Sequence, residues 1–178
     1  MKLERLLVGC KNLVRTGWMQ RGVPPSIGET VASHSFEAAV IAYVIAQRLK
    51  ELGQRVDPDH ASVIALFHDV GESLIGDLPK WVTDRIEKTS IELDAVASLG
   101  VGVQLFEEYN RRNSLEALVA KFSEMMATYK QALRYKSQGY EVDEIIATYS
   151  SKLNEMWRLE PFSSYRKELE EILSNDNK

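Results

Sequence analysis

A cluster of ionisable side chains closes an apolar segment in the stretch IALFHDVGESLIGDLP, residues 64–79. An imidazole and a carboxylate stand side by side at His68 and Asp69, and two more carboxylates follow at Glu72 and Asp77. Imidazole nitrogen and carboxylate oxygen are both standard ligands of divalent metals. The alternative is a mutual or backbone hydrogen bond that satisfies the polar groups at the end of a buried helix. On these residues alone, both interpretations stay open.

The spacing within this stretch would bring several of the groups together at the end of a helix. Adjacent helical residues diverge by roughly 100°, so His68 and its neighbour reach one small object only where the helix gives way to a turn. Gly71 is expected to supply that break, and Glu72 lies four residues after the histidine, on the same side. With Gly71 and Gly76 letting the chain turn back, Glu72 and Asp77 are expected to line one cleft.

A second histidine lies in the middle of another apolar segment, VASHSFEAAVIAYV. His34 shares its helical stripe with Ala38, Ile41 and Ile45, where a lone histidine is more often a hydrogen-bonded core residue than a ligand. Of the three histidines, His34 and His68 lie in strongly apolar segments, whereas His60 follows the polar residues of DPDH and is interpreted as a surface residue. A second buried histidine strengthens the metal interpretation.

The elements that must position these residues are predicted to be helices. Apolar residues recur at helical intervals between breaks rich in Gly and Pro, and no segment shows the period-2 alternation of a strand. A length of 178 residues suits one domain with a proper core. We therefore predict an all-α fold, a single-domain bundle of six to eight helices over residues 1–178. The predicted helices cover 2–15, 30–51, 58–69, 81–98, 103–112, 114–137, 141–157 and 161–174.

Composition excludes several classes of protein. Hydrophobic residues at 44% and charged residues at 27% are ordinary for a soluble domain. A net charge of −4 argues against binding of a nucleic-acid polymer, although local cations could still hold a small phosphorylated ligand. A lone Cys10 allows neither an intrachain disulfide nor a cysteine-based zinc site. With no signal peptide and no apolar span of ~18 residues, we expect a cytoplasmic protein with no membrane partner.

Taken together, the motifs resemble the HD superfamily of metal-dependent phosphohydrolases. The resemblance is to the branch that contains the bacterial 5′-deoxynucleotidases and their archaeal and eukaryotic HD-domain relatives, and it covers roughly residues 3–135. It leaves 141–178 as C-terminal helices that pack on the domain or on a partner subunit. The segments that carry it are RTGWMQRGV (15–23), ETVASHS (29–35), ALFHDVGESLIGDLP (65–79) and the spacing of Lys88, Glu92 and Ala95.

The resemblance implies one divalent metal ion, held in this family by two histidines and two aspartates. His34, His68 and Asp69 match three of these positions. The family's last ligand falls in AKFSEMMATYKQAL, residues 120–133, where this chain has Glu124 in place of the usual aspartate. A nitrogen and carboxylate ligand set accepts Mn²⁺, Co²⁺, Zn²⁺, Fe²⁺ or Ni²⁺, and Mg²⁺ is not excluded, so the identity of the metal stays open.

Two positions depart from the family pattern. Glutamate at Glu124 is one methylene longer than aspartate but is still a competent oxygen ligand. The alternative is a solvated helical glutamate that pairs with Lys121 or Lys130. Relatives often carry a glutamate immediately before the first histidine, where this chain has Ser33, and the sequence offers no account of that change.

The resemblance also implies roles for residues around the metal. Glu72 matches the carboxylate that orients or deprotonates the attacking water, and Asp77 matches a group near the sugar and phosphate that acts as a proton donor or a sugar-hydroxyl acceptor. Arg15 and Arg21 flank Trp18, and they would bring guanidinium groups to the phosphate and an indole face to the base. The alternatives are turn chemistry for the carboxylates, a core tryptophan and surface arginines.

The resulting hypothesis is an enzyme: a metal-dependent 5′-nucleotidase that converts (deoxy)ribonucleoside 5′-monophosphates to nucleoside and phosphate. A different HD phosphohydrolase, acting on a nucleotide di- or triphosphate or an alarmone, is the first alternative. The short segment from Arg15 to Arg21 favours one phosphate. A non-catalytic nucleotide- or metal-binding module would explain the altered Glu124, and a helical scaffold would leave the buried ionisable residues unexplained. Relatives form dimers, so a homodimer is expected.

Overall fold

The computed structural model describes residues 2–174, and the regular structure in this range is helical. An isolated antiparallel bridge joins Val14 to Thr30, and no strand forms between residues 2 and 174. The helices are α1 (Leu3–Asn12), α2 (Thr16–Met19), α3 (Val31–Glu51), α4 (Pro58–Phe67), α5 (Glu72–Ile75), α6 (Lys80–Thr83), α7 (Lys88–Leu99), α8 (Val103–Arg111), α9 (Leu115–Ser137), α10 (Asp143–Met156) and α11 (Arg166–Ser174). The all-α class is confirmed. The count exceeds the predicted range because α2, α5 and α6 are single turns of four residues.

Side-chain caps fix where the two central site helices begin. Thr30 accepts a hydrogen bond from the backbone N–H of Ser33 at 3.1 Å, and the Ser33 hydroxyl accepts one from the Thr30 N–H at 2.8 Å, which makes a capping box at the start of α3. The Ser33 hydroxyl thus accepts the hydrogen bond that a glutamate side chain accepts at this position in the usual capping box. Asp57 caps α4, with Pro58 at its first position.

The segment predicted as one helix over 81–98 is two helices separated by a turn at 84–87. At this turn the Arg85 guanidinium donates a hydrogen bond to the Trp81 carbonyl at 2.8 Å and lies 4.0 Å from the centre of the Trp81 ring. These contacts accompany the turn, and the apolar periodicity that predicted one continuous helix does not record them.

The two glycines of the site loop have different functions. Gly71 has ordinary helical dihedrals, φ −58° and ψ −31°, so it does not itself break the helix. A Cβ there would lie 3.2 Å from both the Glu92 carbonyl oxygen and a Val96 methyl group, so Gly71 lets the loop approach α7 closely. Gly76 at φ +82° is the residue that turns the chain.

The main core lies between α3, α4 and α9, and the C-terminal helices cover it. Phe122 of α9 stacks on Phe162 at 4.9 Å between ring centroids and meets Trp157 edge-on at 4.6 Å. Leu153 and Leu169 belong to the same buried cluster. The segment after residue 141 therefore packs on the body of this chain. Within residues 2–174, no helix combines the length and the apolar character needed to cross a membrane.

Candidate active site

Four residues from three separate parts of the sequence converge where helices α3, α4 and α9 meet. His34 lies in α3, His68 and Asp69 follow the last residue of α4, and Glu124 lies in the middle of α9. Ligand atoms of the two histidines and Glu124 lie within 4.8 Å of one another. The Asp69 Oδ2 atom is 3.0 Å from His68 Nε2 and 3.9 Å from His34 Nε2. Two nitrogens and two carboxylates therefore face one small volume.

Both imidazoles direct a ring nitrogen toward the Asp69 carboxylate. His34 is fully buried, yet neither of its ring nitrogens has a hydrogen-bond partner among residues 2–174. Such a group is costly in a protein interior unless something else satisfies it. His68 Nδ1 lies 2.6 Å from the Ala65 carbonyl, which can only accept, so Nδ1 carries a proton, and Nε2 lies 3.0 Å from the Asp69 carboxylate. Burial, reinforced by the Arg15 charge, lowers the pKa of His34 and keeps its ring neutral.

The carboxylates of the cluster are ionised. Burial alone would raise the pKa of Asp69, but the adjacent His68 ring holds it well below its usual range. Burial would likewise raise the pKa of Glu124, and the charge of Lys121 lowers it. Burial would lower the pKa of His68, but the charge of Asp69 and its hydrogen bond raise it. Imidazole nitrogens beside ionised carboxylates are a donor set that suits a divalent metal, which would take the place of the proton on the His68 nitrogen.

Glu124 combines features of both sequence interpretations. Its Oε1 lies 2.7 Å from the Lys121 ammonium and 3.3 Å from the Tyr109 hydroxyl. The predicted pairing with Lys121 is therefore present. The side chain is not solvated, however, because Glu124 is only 6% exposed and faces His68.

A second group of carboxylates adjoins the first and shares Asp69 with it. Ligand oxygens of Asp69, Glu72 and Glu92 lie within 4.8 Å of one another. The Lys88 ammonium lies 2.7 Å from Glu92 and 3.7 Å from Glu72, so one cation partly offsets this charge. Burial raises the pKa of Glu72 to about 10, with the charges of Asp69 and Asp77 adding to the effect. Glu72 thus holds a proton at neutral pH, and its Oε2 has no hydrogen-bond partner within residues 2–174.

Asp77 connects the site loop to α2. One Asp77 carboxylate oxygen accepts a short hydrogen bond from the Thr16 backbone N–H, and the Thr16 hydroxyl donates to the Asp77 carbonyl at 2.6 Å. These bonds place the Arg15–Trp18 segment against the turn after α5. Asp77 is thus a structural anchor as well as a member of the cleft lining.

Glu29 is a buried glutamate that the sequence did not assign to the site, and it orients Arg15 and Trp18. Glu29 accepts hydrogen bonds from the Trp18 indole N–H at 2.8 Å and from Arg15 at 3.4 Å, and its other oxygen is 3.8 Å from His34 Nδ1. The Arg15 guanidinium also donates to the Thr128 hydroxyl at 3.2 Å. The signal available in the sequence was its place in the ETVASHS motif, five residues before His34.

These groups line one cleft of about 490 Å³, within the size range of small-molecule sites. His34 is fully buried and does not itself line the cleft. Arg21 lines the rim, where it forms an exposed ion pair with Glu144 of α10. The predicted site residues in the lining are Arg15, Trp18, Arg21, His68, Asp69, Glu72, Asp77 and Glu124. Residues that the sequence did not assign to the site also line it, namely Tyr109, Lys121 and Thr128 together with one face of α10.

A helical bundle with two buried histidines, an adjacent aspartate and a distant carboxylate in one cleft defines the HD class of domain. The HD domain family model matches residues 9–158, and the chain belongs to this family. HD domains bind divalent metal, and the buried cluster of His34, His68 and Glu124 could hold such an ion. The resemblance indicated by the sequence motifs is confirmed.

Individual relatives point to the same branch. The chain is 30% identical over 152 residues to a protein named 5′-deoxynucleotidase HDDC2 from Dictyostelium discoideum, covering 79% of each chain. It is 28% identical over 161 residues to the human protein of that name, covering 85% of this chain and 75% of the relative. Among solved structures, PH0347 from Pyrococcus horikoshii OT3 superposes with a TM-score of 0.82 at 31% identity, covering 97% of this chain and 96% of that one.

Proposed function

We propose that this chain is a metal-dependent 5′-nucleotidase that hydrolyses (deoxy)ribonucleoside 5′-monophosphates to nucleoside and phosphate. The observation that carries the proposal is the convergence of His34, His68, Asp69 and Glu124 beside a cleft that also presents Arg15. The family and the relatives named 5′-deoxynucleotidase confirm the class of activity that the sequence predicted, hydrolysis of a phosphomonoester.

We infer that His34, His68, Asp69 and Glu124 hold one divalent ion. Their donor atoms fit such an ion, because His34 has two unsatisfied nitrogens and both carboxylates are ionised. When bound, the ion polarises phosphate oxygens, lowers the pKa of a bound water and favours the ionised form of a neighbouring carboxyl such as Glu72. Mn²⁺, Co²⁺, Zn²⁺, Fe²⁺, Ni²⁺ and Mg²⁺ are the candidates.

The remaining residues of the site bind the phosphate and handle protons. The Arg15 guanidinium is oriented by Glu29 and Thr128, so it meets a phosphate oxygen with little loss of side-chain freedom. Glu72, once ionised, accepts a proton from the attacking water. One Asp77 oxygen already accepts from a backbone N–H, which leaves the other to accept a hydrogen bond from a sugar hydroxyl.

The wall residues set the shape of the nucleoside end. Trp18 is 2% exposed and its indole is held by Glu29 and by the edge of the Tyr135 ring, at 5.1 Å between ring centroids. A rigid indole offers a fixed surface at the cleft wall. Arg21 reaches substrate only when its ion pair with Glu144 opens. A nucleotide with a longer phosphate chain or an alarmone is the alternative substrate, and the assay below tests it when guanosine tetraphosphate is added to the panel.

The direct test is phosphate release from a panel of ribo- and deoxyribonucleoside 5′-monophosphates, diphosphates and triphosphates. Chelator-treated protein is supplied with Mg²⁺, Mn²⁺, Co²⁺, Ni²⁺, Fe²⁺ or Zn²⁺ in turn. We expect release from monophosphates to return with at least one metal and to fall by about 10²-fold or more in Glu72→Ala, as for loss of a general base, and in Asp69→Ala. Metal-loaded, folded protein that is inactive on every monophosphate would rule the proposal out.

We also propose that the chain forms a homodimer through an exposed apolar stripe on α3 and α4. On α3, Phe36 is 67% exposed, Val40 47% and Tyr43 43%, at helical spacing, and Leu66 of the adjacent α4 is 42% exposed. A surface of this kind rarely faces solvent in a monomer, and a second copy can cover it by two-fold symmetry.

A cytoplasmic location stays a prediction of the sequence.

A further inference from the structure

One face of helix α10 forms a wall of the cleft. The residues that line it are Glu144, Ile145, Thr148, Tyr149 and Lys152, which recur at helical spacing. The sequence predicted only packing for this helix, which lies beyond the segment that carries the resemblance. The structure instead places a phenol and an ammonium group beside the ionisable cluster of the site.

Tyr149 is connected to the proposed phosphate-binding arginine. A hydrogen bond links Tyr149 with the Thr128 hydroxyl, and the same hydroxyl accepts from the Arg15 guanidinium at 3.2 Å. Burial raises the pKa of Tyr149 to about 12, and the charge of Glu124 adds to this effect. The phenol is therefore neutral at physiological pH, and it supports Thr128 and, through it, the position of Arg15.

Lys152 is an ammonium group in the cleft without a carboxylate partner. Its Nζ atom lies 4.6 Å from the centre of the Tyr149 ring. No carboxylate of residues 2–174 lies within ion-pair distance of it. Three other lysines line the cleft, and each forms an ion pair: Lys80 with Asp84, Lys88 with Glu92 and Lys121 with Glu124. Among the lysines that line the cleft, Lys152 is thus the one without a carboxylate partner within residues 2–174, and it is available to an anionic ligand.

The electrostatic surroundings of Lys152 also favour an incoming anion. Desolvation lowers the pKa of its ammonium group, Glu124 and Glu155 oppose that effect, and the like charges of Lys121 and Lys80 add to it. A phosphate beside Lys152 would relieve this repulsion, because an opposite charge favours the charged form of the amine. The group is poised to gain from contact with an anion, and the substrate of the proposed reaction is one.

We propose that Lys152 is a further substrate-binding residue whose ammonium contacts the phosphate, and that Tyr149 is a positioning residue that holds the Thr128–Arg15 arm and the Lys152 side chain. This inference rests on the proposed function for the identity of the substrate. It does not require turnover, since inorganic phosphate, the expected product, presents the same oxygens. Helix α10 then belongs to the catalytic unit of this chain.

The test uses metal-loaded full-length protein and two readouts. Calorimetric titration with inorganic phosphate measures binding without turnover, and steady-state kinetics with a nucleoside monophosphate separates KM from kcat. We expect Lys152→Met to weaken phosphate binding and to raise KM about tenfold, the size of one lost charge-assisted hydrogen bond. Lys152→Arg restores most of the binding, and Lys50→Met, at an exposed lysine of α3 outside the cleft, changes neither.

Tyr149→Phe separates the positioning role from simple packing, because it keeps the ring beneath Lys152 and removes only the hydroxyl. We expect Tyr149→Phe to weaken phosphate binding and to lower kcat, while metal content and thermal stability stay unchanged. Phosphate affinity equal to wild type in Lys152→Met overturns the inference, as does wild-type protein that binds no phosphate. Wild-type protein that binds phosphate through Lys152 but hydrolyses no nucleotide refutes the proposed function and leaves the inference standing.

Discussion

At the scale of single residues, burial decides what the ionisable groups can do. From the sequence, each of two site residues has an ordinary explanation. His34 could be a hydrogen-bonded core histidine, and Glu124 could be a solvated helical glutamate. Inside the protein, His34 has no hydrogen-bond partner among residues 2–174, and Glu124 stays ionised beside Lys121. These states suit metal ligands, which need available lone pairs and negative charge.

Glu124 can be tested as a ligand through substitutions that keep or remove its charge. Glu124→Gln removes the negative charge, and we expect metal affinity to fall by about tenfold or more, whereas Glu124→Asp, with the usual family residue, stays within a few fold of wild type. Metal content after dialysis against graded chelator is the measurement. Glu4→Gln, at an exposed glutamate of α1, is the control. Equal metal content in all variants would remove Glu124 from the ligand set.

Glu72 makes metal-free protein sensitive to pH. Its folded-state pKa of about 10 lies above the ordinary value of 4.5, so the folded state binds more protons than the unfolded state between these values. Stability from this group therefore falls as pH rises through that window. We expect Glu72→Gln to raise the Tm of metal-free protein by a few degrees at about pH 8 and by less at about pH 5, since about 1 kcal/mol shifts Tm by about 2–4 °C in a chain of this size.

Thermal scans of the chelated wild type and Glu72→Gln at several pH values make this comparison. A constant difference between the two proteins at every pH would contradict it, because a packing effect does not follow the titration of a carboxyl. Loading with metal is expected to reduce the difference, since a nearby cation favours the ionised glutamate.

At the scale of elements, local capping fixes the helix that carries His34. Thr30→Ala removes the side chain that accepts from the Ser33 N–H, and we expect a loss of about 1 kcal/mol in the free energy of unfolding. Ser33→Glu replaces the hydroxyl with the longer acceptor of the usual capping box and is expected to retain stability within about 0.5 kcal/mol. Urea denaturation measures both. Equal losses in the two variants would show that the box does not stabilise α3.

At the scale of the whole molecule, the exposed apolar stripe is the feature that the folded monomer leaves uncovered. We expect Phe36→Lys to convert a dimer to a monomer in light scattering coupled to size exclusion, because a charge at the centre of an apolar contact costs several kcal/mol unless it is paired. Leu159→Lys, at another exposed apolar residue, is the matched control. Wild-type protein that is monomeric at micromolar concentration would refute the homodimer. Unchanged metal content confirms that the fold around His34 survives.

Much of the fold follows from the sequence because helices are set by short-range patterns. The bounds of α3 and α9 agree with the predicted 30–51 and 114–137 to within one residue, since apolar periodicity and caps act over a few residues. Where the prediction differs from the structure, the difference lies in local contacts that apolar periodicity does not record. Contacts between Arg85 and Trp81 accompany the turn after α6, and Gly71 acts by permitting close approach to α7 rather than by bending the backbone.

The sequence by itself determined the class of this protein and the types of residue that its chemistry needs. The HD pair, the upstream histidine and the spacing of Glu72 and Asp77 are linear patterns. They can be recognised without knowing how the helices pack. Only the tertiary structure decided which groups share a cleft. Glu29 and Lys152 were assigned to the site only from the structure, because hydrogen bonds, burial and electrostatic interactions depend on distance in space. Packing, rather than sequence spacing, brings residues of α2, α9 and α10 and the segment before α3 together.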